Sequence, residues 1–194
     1  MKPLPLYERR GSAVLWWLNK AQDLHGAAAV IYHAMCNEGI EIKKEHGLEE
    51  GYSFRIALPG VFAMNAGLSL ELLLKAIILI KKDGEYSKIP KIHNLSKLAE
   101  KSEIYSLFDT SQKHLLETFS AYIVWAGKYP IPTKPKEYDD ALKISEKSKT
   151  THKEGGLTLE KTYPEMVLNW ENYDNLWEVI MSEFWIKYGE KYNA

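Results

Sequence analysis

Apolar residues recur at spacings of three and four along most of this chain, the mark of helices that each bury one stripe. From Ser12 to about Asn37, Val14, Leu15, Trp17, Leu18, Ala21, Leu24, Ala28, Ile31 and Met35 keep that period. Ser12, behind Gly11, is the expected N-cap. Residues 38–54 are polar and hold three glycines, which predicts a loop. A second helix is predicted from Pro59, a favoured first-turn residue, to about Lys82, with Asp83-Gly84 as its stop. It is apolar nearly all round, as the central helix of a bundle must be. A loop containing Pro90 follows, and Asn94 caps a short helix through Leu95, Leu98 and Ala99.

Ser111 to about Ala126 predicts another helix, ended by Gly127, with Leu115, Leu116, Phe119, Tyr122, Ile123 and Trp125 as its apolar positions. Pro130, Pro132 and Pro135 exclude a helix across their span. Residues 137–148 fit a short polar helix, and residues 149–157 read as mobile. A last helix, about Asn172 to Tyr188, carries Leu176, Trp177, Ile180, Met181 and Phe184 on one face. Period-two alternation is nowhere sustained. The expected fold is therefore all-α: an up-and-down bundle of four or five helices in one domain, 1–194. Residues 1–10 form an arm, and 128–158 a mobile polar insertion or loop.

Composition adds bounds. With 194 residues, 45% of them hydrophobic and 26% charged, the chain suits one well-cored globular domain. A net charge of -1 gives no global field for nucleic acid or membrane, so any such affinity must be local. The single cysteine, Cys36, excludes an internal disulfide and reads as a small core residue. The N-terminus lacks the unbroken apolar run of a signal peptide, so a cytoplasmic location is expected. Ile56–Ile80 is long enough to cross a bilayer, but Glu71 and Lys75 would each cost about 2.5–3.5 kcal/mol there. A helix buried in protein, with no membrane partner, is the better reading.

Candidate chemistry starts with that pair. Glu71 and Lys75 stand four apart, acid first, on one helical face. They are either the one exposed stripe of the helix or a buried polar spot beside a groove. His93 sits at the mouth of the next helix, next to the capping Asn94. A helix N-terminus favours anions, and Lys88 and Lys91 lie nearby. Histidines at helix starts also satisfy carbonyls or pack corners, so this position has a plain structural reading too. Lys128 to Lys153 interleaves lysines with Tyr129 and Tyr138, a pattern suited to single-stranded nucleic acid or to a solvated loop. His25 and His33 are too far apart along their helix to share an ion, so no metal is expected, and no motif calls for a cofactor. The six tryptophans read as core and interface anchors.

At this point the residues carry a likeness. "AGLSLELLLKAIILIKKDG", followed nine residues on by "HNLSKLAE", resembles the HEPN domain (higher eukaryotes and prokaryotes nucleotide-binding). Members of that family often show a Glu-x-x-x-Lys helix, a short linker, then His-Asp/Asn-Leu-x-x-Leu. "WAGKYPIP", residues 125–132, is similar to the Arg-Tyr-Pro segment of some members. The resemblance covers residues 57–132. It implies a helical bundle, commonly a homodimer, working with RNA, nucleotides or a cognate partner protein in toxin–antitoxin or phage-defence systems. Many members are metal-independent ribonucleases whose motif is an arginine, four to six residues, then a histidine. Here the arginines are Arg9, Arg10 and Arg55, and none precedes a histidine at that spacing. Lys128 stands where the family has arginine before Tyr-Pro, and lysine cannot hold a phosphate through two parallel bonds.

The sequence thus predicts a non-catalytic HEPN-like protein that binds RNA, nucleotide or a partner protein through Glu71, Lys75, His93, Asn94, Lys128 and Tyr129. The alternative is a divergent metal-independent ribonuclease. There His93 is the acid/base, Glu71 sets its charge, and Lys75 or Lys128 holds the phosphate. A third option is a structural bundle that only assembles with a partner.

Overall fold

In the computed structural model, residues 5–37, 40–48, 51–147, 149–154, 157–162 and 168–192 are described. Chain order runs α1 (Leu6–Ser12), α2 (Val14–Cys36), α3 (Ile40–Glu45), α4 (Phe54–Ala57), α5 (Pro59–Lys81), α6 (Leu95–Lys101), α7 (Thr110–Ala121), α8 (Pro135–Lys147), β1 (Lys149–Glu154), β2 (Leu157–Thr162) and α9 (Trp170–Tyr192). The fold is helical. Its strands form a single antiparallel ribbon, Lys149 opposite Thr162 and Glu154 opposite Leu157, that joins no larger sheet among the described residues.

Helix α5 is the axis of the protein. It packs against α2, α6, α7 and α9. Leu70, Leu73, Leu74 and Ile77 on it are fully buried. Burying each such side chain contributes on the order of 1.5–3 kcal/mol. It is long and apolar enough to cross a membrane, but 78% of its most apolar window is buried inside the protein, as in the core helix of a bundle. Pro59 opens it, and Asp83 (φ 55°) and Gly84 (φ 76°) turn the chain away at its end. Gly67 lets α7 come close: a Cβ there would lie 2.8 Å from Ile123 Cγ1 and 3.2 Å from the Phe119 carbonyl oxygen.

Helix α7 begins with a capping box, Asp109 accepting from the Gln112 amide and Gln112 from the Asp109 amide. It widens into a π turn over Tyr122–Ala126. The extra residue re-phases the side chains. Ile123 is buried against α5, while Val124 and Trp125 face a neighbouring cleft.

Several sequence expectations need correction. Residues 6–10 of the expected arm are helical, the helix running on to Ser12, so Ser12 ends α1 and does not cap α2, whose N-cap is Ala13. The expected loop over 38–54 contains α3. Cys36 is exposed, because the last turn of α2 runs past the core. Part of the stretch expected to be mobile, 149–154, is paired in the ribbon. Thr-rich segments flanking Gly155-Gly156 were the sequence signal for that hairpin. The polar helix expected over 137–148 is α8, started two residues earlier by Pro135 at a first-turn position.

Candidate functional site

The Glu71–Lys75 pair is buried, which decides between the two readings of the sequence. Lys75 Nζ donates to Glu71 Oε1 at 2.7 Å, and the side chains are only 9% and 5% exposed. The i,i+4 geometry of α5 brings them together. The loop before α6 adds the third member. His93 Nδ1 lies 3.0 Å from Glu71 Oε2 and 3.2 Å from Oε1. An ionised carboxylate only accepts, so Nδ1 carries the proton and Nε2 of the neutral ring is an acceptor. The His93 side chain is 58% exposed, and among the described residues no group hydrogen-bonds Nε2. One buried carboxylate thus orients both an ammonium and an imidazole.

The two bases face different spaces. His93 lines a cleft of about 720 Å³ between the start of α6, the α7 π turn and α8. Trp125, Val124 and Ile144 give it an apolar wall, and Lys97 and Lys143 stand at it. Among the described residues neither lysine is paired with an acid, whereas Lys147 is bound to Glu117 at 2.6 Å. Glu137 and Asp140 also line the cleft, so its charge is mixed. Lys75 instead lines a separate cavity of about 980 Å³ at the far end of α5.

The remaining predicted site residues fare differently. Asn94 is the α6 N-cap, its Oδ1 accepting from the Lys97 amide at 2.8 Å, and it lines the His93 cleft. The Leu95 amide donates to Ser120 Oγ at 2.9 Å. Two of the first amides of this seven-residue helix are therefore already taken, and the expected anion cradle at its mouth is not formed by them. Lys128 and Tyr129 are exposed and line neither cavity. The preceding Gly127 packs against Gly60 and Met64. Glu71 lies seven residues past Met64, about 10 Å along the axis at 1.5 Å per residue. No arginine lines either cavity. Ser120 Oγ donates to the Leu116 carbonyl oxygen, so its proton is committed within α7.

Pattern reading missed a second polar cluster. Tyr173 Oη lies 2.7 Å from Ser69 Oγ and 2.8 Å from His25 Nδ1, tying α9, α5 and α2 together. His25 stacks on Trp177, with ring centres 4.4 Å apart. Burial lowers the His25 pKa, against the pull of Asp174 and Glu178, and burial raises that of Tyr173. Its three residues stand far apart in sequence, and each alone looks like part of an apolar stripe. Among the described residues no cluster of His, Cys, Asp and Glu could hold a metal ion.

Comparison of the chain with protein-family models, curated proteins and solved structures returned no match. The chemistry of the site therefore rests on the residues of this chain.

Proposed function

We propose that this chain is a HEPN-like binding module for RNA or a nucleotide, with the His93 cleft as its site. One observation carries the reading. A buried carboxylate holds an imidazole at the edge of an open cleft that also has an indole and two unpaired lysines. A base can stack on Trp125, and aromatic stacking of this kind contributes about 1–3 kcal/mol per base. Lys97 and Lys143 meet phosphate as point charges, and His93 Nε2 accepts from a ribose hydroxyl. The likeness of residues 57–132 to HEPN domains supports the same ligand class.

The test is fluorescence anisotropy of a labelled single-stranded RNA in low salt. Wild-type protein binds, and His93→Ala, Trp125→Ala and Lys97→Ala each weaken binding with helicity unchanged. Lys128→Ala serves as the exposed-lysine control. Binding unaffected by the three cleft substitutions would refute the assignment.

The geometry of the Glu71–His93 pair favours one second reading, a metal-independent ribonuclease. His93 Nε2 would take the proton of a ribose 2′-hydroxyl as that oxygen attacks the adjacent phosphorus. The 5′-oxygen leaves with a proton from water, giving a cyclic phosphate and a 5′-hydroxyl end, and His93 returns its proton to solvent. Incubation of RNA with the purified protein in chelator separates the two. Cleavage lost in His93→Ala identifies the enzyme, and intact bound RNA identifies the module.

A further inference from the structure

The cavity on the other side of Glu71 is built differently from the His93 cleft. Its inner wall is Lys75, an ammonium with three N–H donors of which Glu71 takes one. Among the described residues no other acceptor reaches Nζ. Two buried donors therefore border about 980 Å³ of open space, at the upper end of the size range for small-molecule pockets.

The cavity lining is also aromatic, and its rings are held in place. Tyr7 and Tyr86 meet edge to face at 5.6 Å, with hydroxyls 3.0 Å apart. Trp17 lies 6.2 Å from Tyr86 and is fixed by its Nε1 donating to the Gly11 carbonyl oxygen at 2.9 Å. Gly11 permits this: a Cβ there would lie 2.6 Å from the Tyr86 ring. Of the three acids at the cavity, Glu8 is exposed with no cationic partner among the described residues, and the other two already have cations. Lys191 binds Asp83, and Lys88 binds Glu85 at 2.8 Å. Lys91 also lines the cavity and has no acidic partner among the described residues. The cavity thus brings spare cationic donors and aromatic rings into one lining.

We infer that this second cavity binds a small aromatic anion, a flat ring carrying a carboxylate or phosphate group, with the anion on Lys75 and the ring against Tyr86 and Trp17. The site stands apart from the His93 cleft and does not rest on the nucleic-acid reading.

Isothermal titration of the full chain with benzoate and with phenyl phosphate tests this, with benzyl alcohol and inorganic phosphate as comparisons. At least one of the two aromatic anions binds with a Kd of about 1 mM or tighter, and the better one identifies the anionic group. The neutral ring and the ringless anion bind about tenfold more weakly or worse, since each keeps only half of the contacts. Lys75→Met and Tyr86→Ala each weaken the aromatic anion about tenfold or more, while His93→Ala leaves it unchanged. Should Lys75→Met lose its helical circular dichroism, the exposed Lys91→Ala and Tyr86→Ala carry the test. No binding of either aromatic anion by wild-type protein overturns the inference. So does binding that survives Tyr86→Ala or disappears in His93→Ala. Labelled RNA bound normally by Tyr86→Ala shows that the His93 cleft stands whatever the result here.

Discussion

Removing Lys75 should be among the most damaging single substitutions in this protein. Lys75→Met keeps the aliphatic stem but leaves the Glu71 carboxylate inside the core with only the half-exposed His93 beside it. At 2.7 Å, and with an effective dielectric constant of about 20, the lost attraction is roughly 6 kcal/mol. Much of it is offset, because the ammonium no longer has to be desolvated. Breaking one side of a buried pair costs about 3–5 kcal/mol in practice. Replacing both charges, as in Glu71→Leu/Lys75→Met, removes the orphan as well, and such apolar replacements are often neutral or stabilising by about 1–4 kcal/mol. Urea unfolding followed by circular dichroism at equal m-values completes the double-mutant cycle. The expected result is two large single losses and a double variant close to wild type, a coupling of about 6 kcal/mol or more. A loss under about 1 kcal/mol for Lys75→Met, the value for an exposed pair, would refute the burial on which the site depends.

Other outcomes follow from the packing. Gly67→Ala should destabilise by about 1–3 kcal/mol, since its Cβ would press on Ile123 and on the fixed Phe119 carbonyl; an unchanged urea midpoint would contradict that contact. Tyr173→Phe should cost about 1–3 kcal/mol by removing the partner of His25 Nδ1 and one of the two partners of the buried Ser69 hydroxyl, which keeps its donation to the Ala66 carbonyl oxygen, again read by urea unfolding. Burial lowers the pKa of both His25 and His114; Asp174 and Glu178 oppose the shift at His25, Glu117 opposes it at His114, and Lys147 reinforces it there. The unfolded chain therefore takes up protons first, and stability present above about pH 6.5 is lost as pH falls through the folded-state values. Unfolding free energies measured from pH 7 down to pH 5 should decline, with a shallower decline in His114→Gln; a rise over that window would reverse the sign of the argument.

The sequence by itself determined the elements whose cause is local. Burial of one stripe repeats every 3.6 residues, so α2, α5, α7 and α9 could be read from their apolar spacing. The Asn94 cap, the Pro59 start and the Asp83-Gly84 stop depend on one or two residues and their own backbone. The same spacing put Glu71 and Lys75 on one face, but it could not say whether that face met water, because burial depends on what α6 and the preceding loop lay over it. Only the tertiary structure seated His93 on Glu71 across 22 positions while leaving Lys128 and Tyr129 beyond the opening turns of α5. It alone folded α8 back to close the His93 cleft, set Tyr86 on Gly11, and joined His25 to Tyr173 across 148 positions. Helix formation is governed by neighbours along the chain, whereas the site is made where helices cross, and a crossing is chosen by the whole packed core at once.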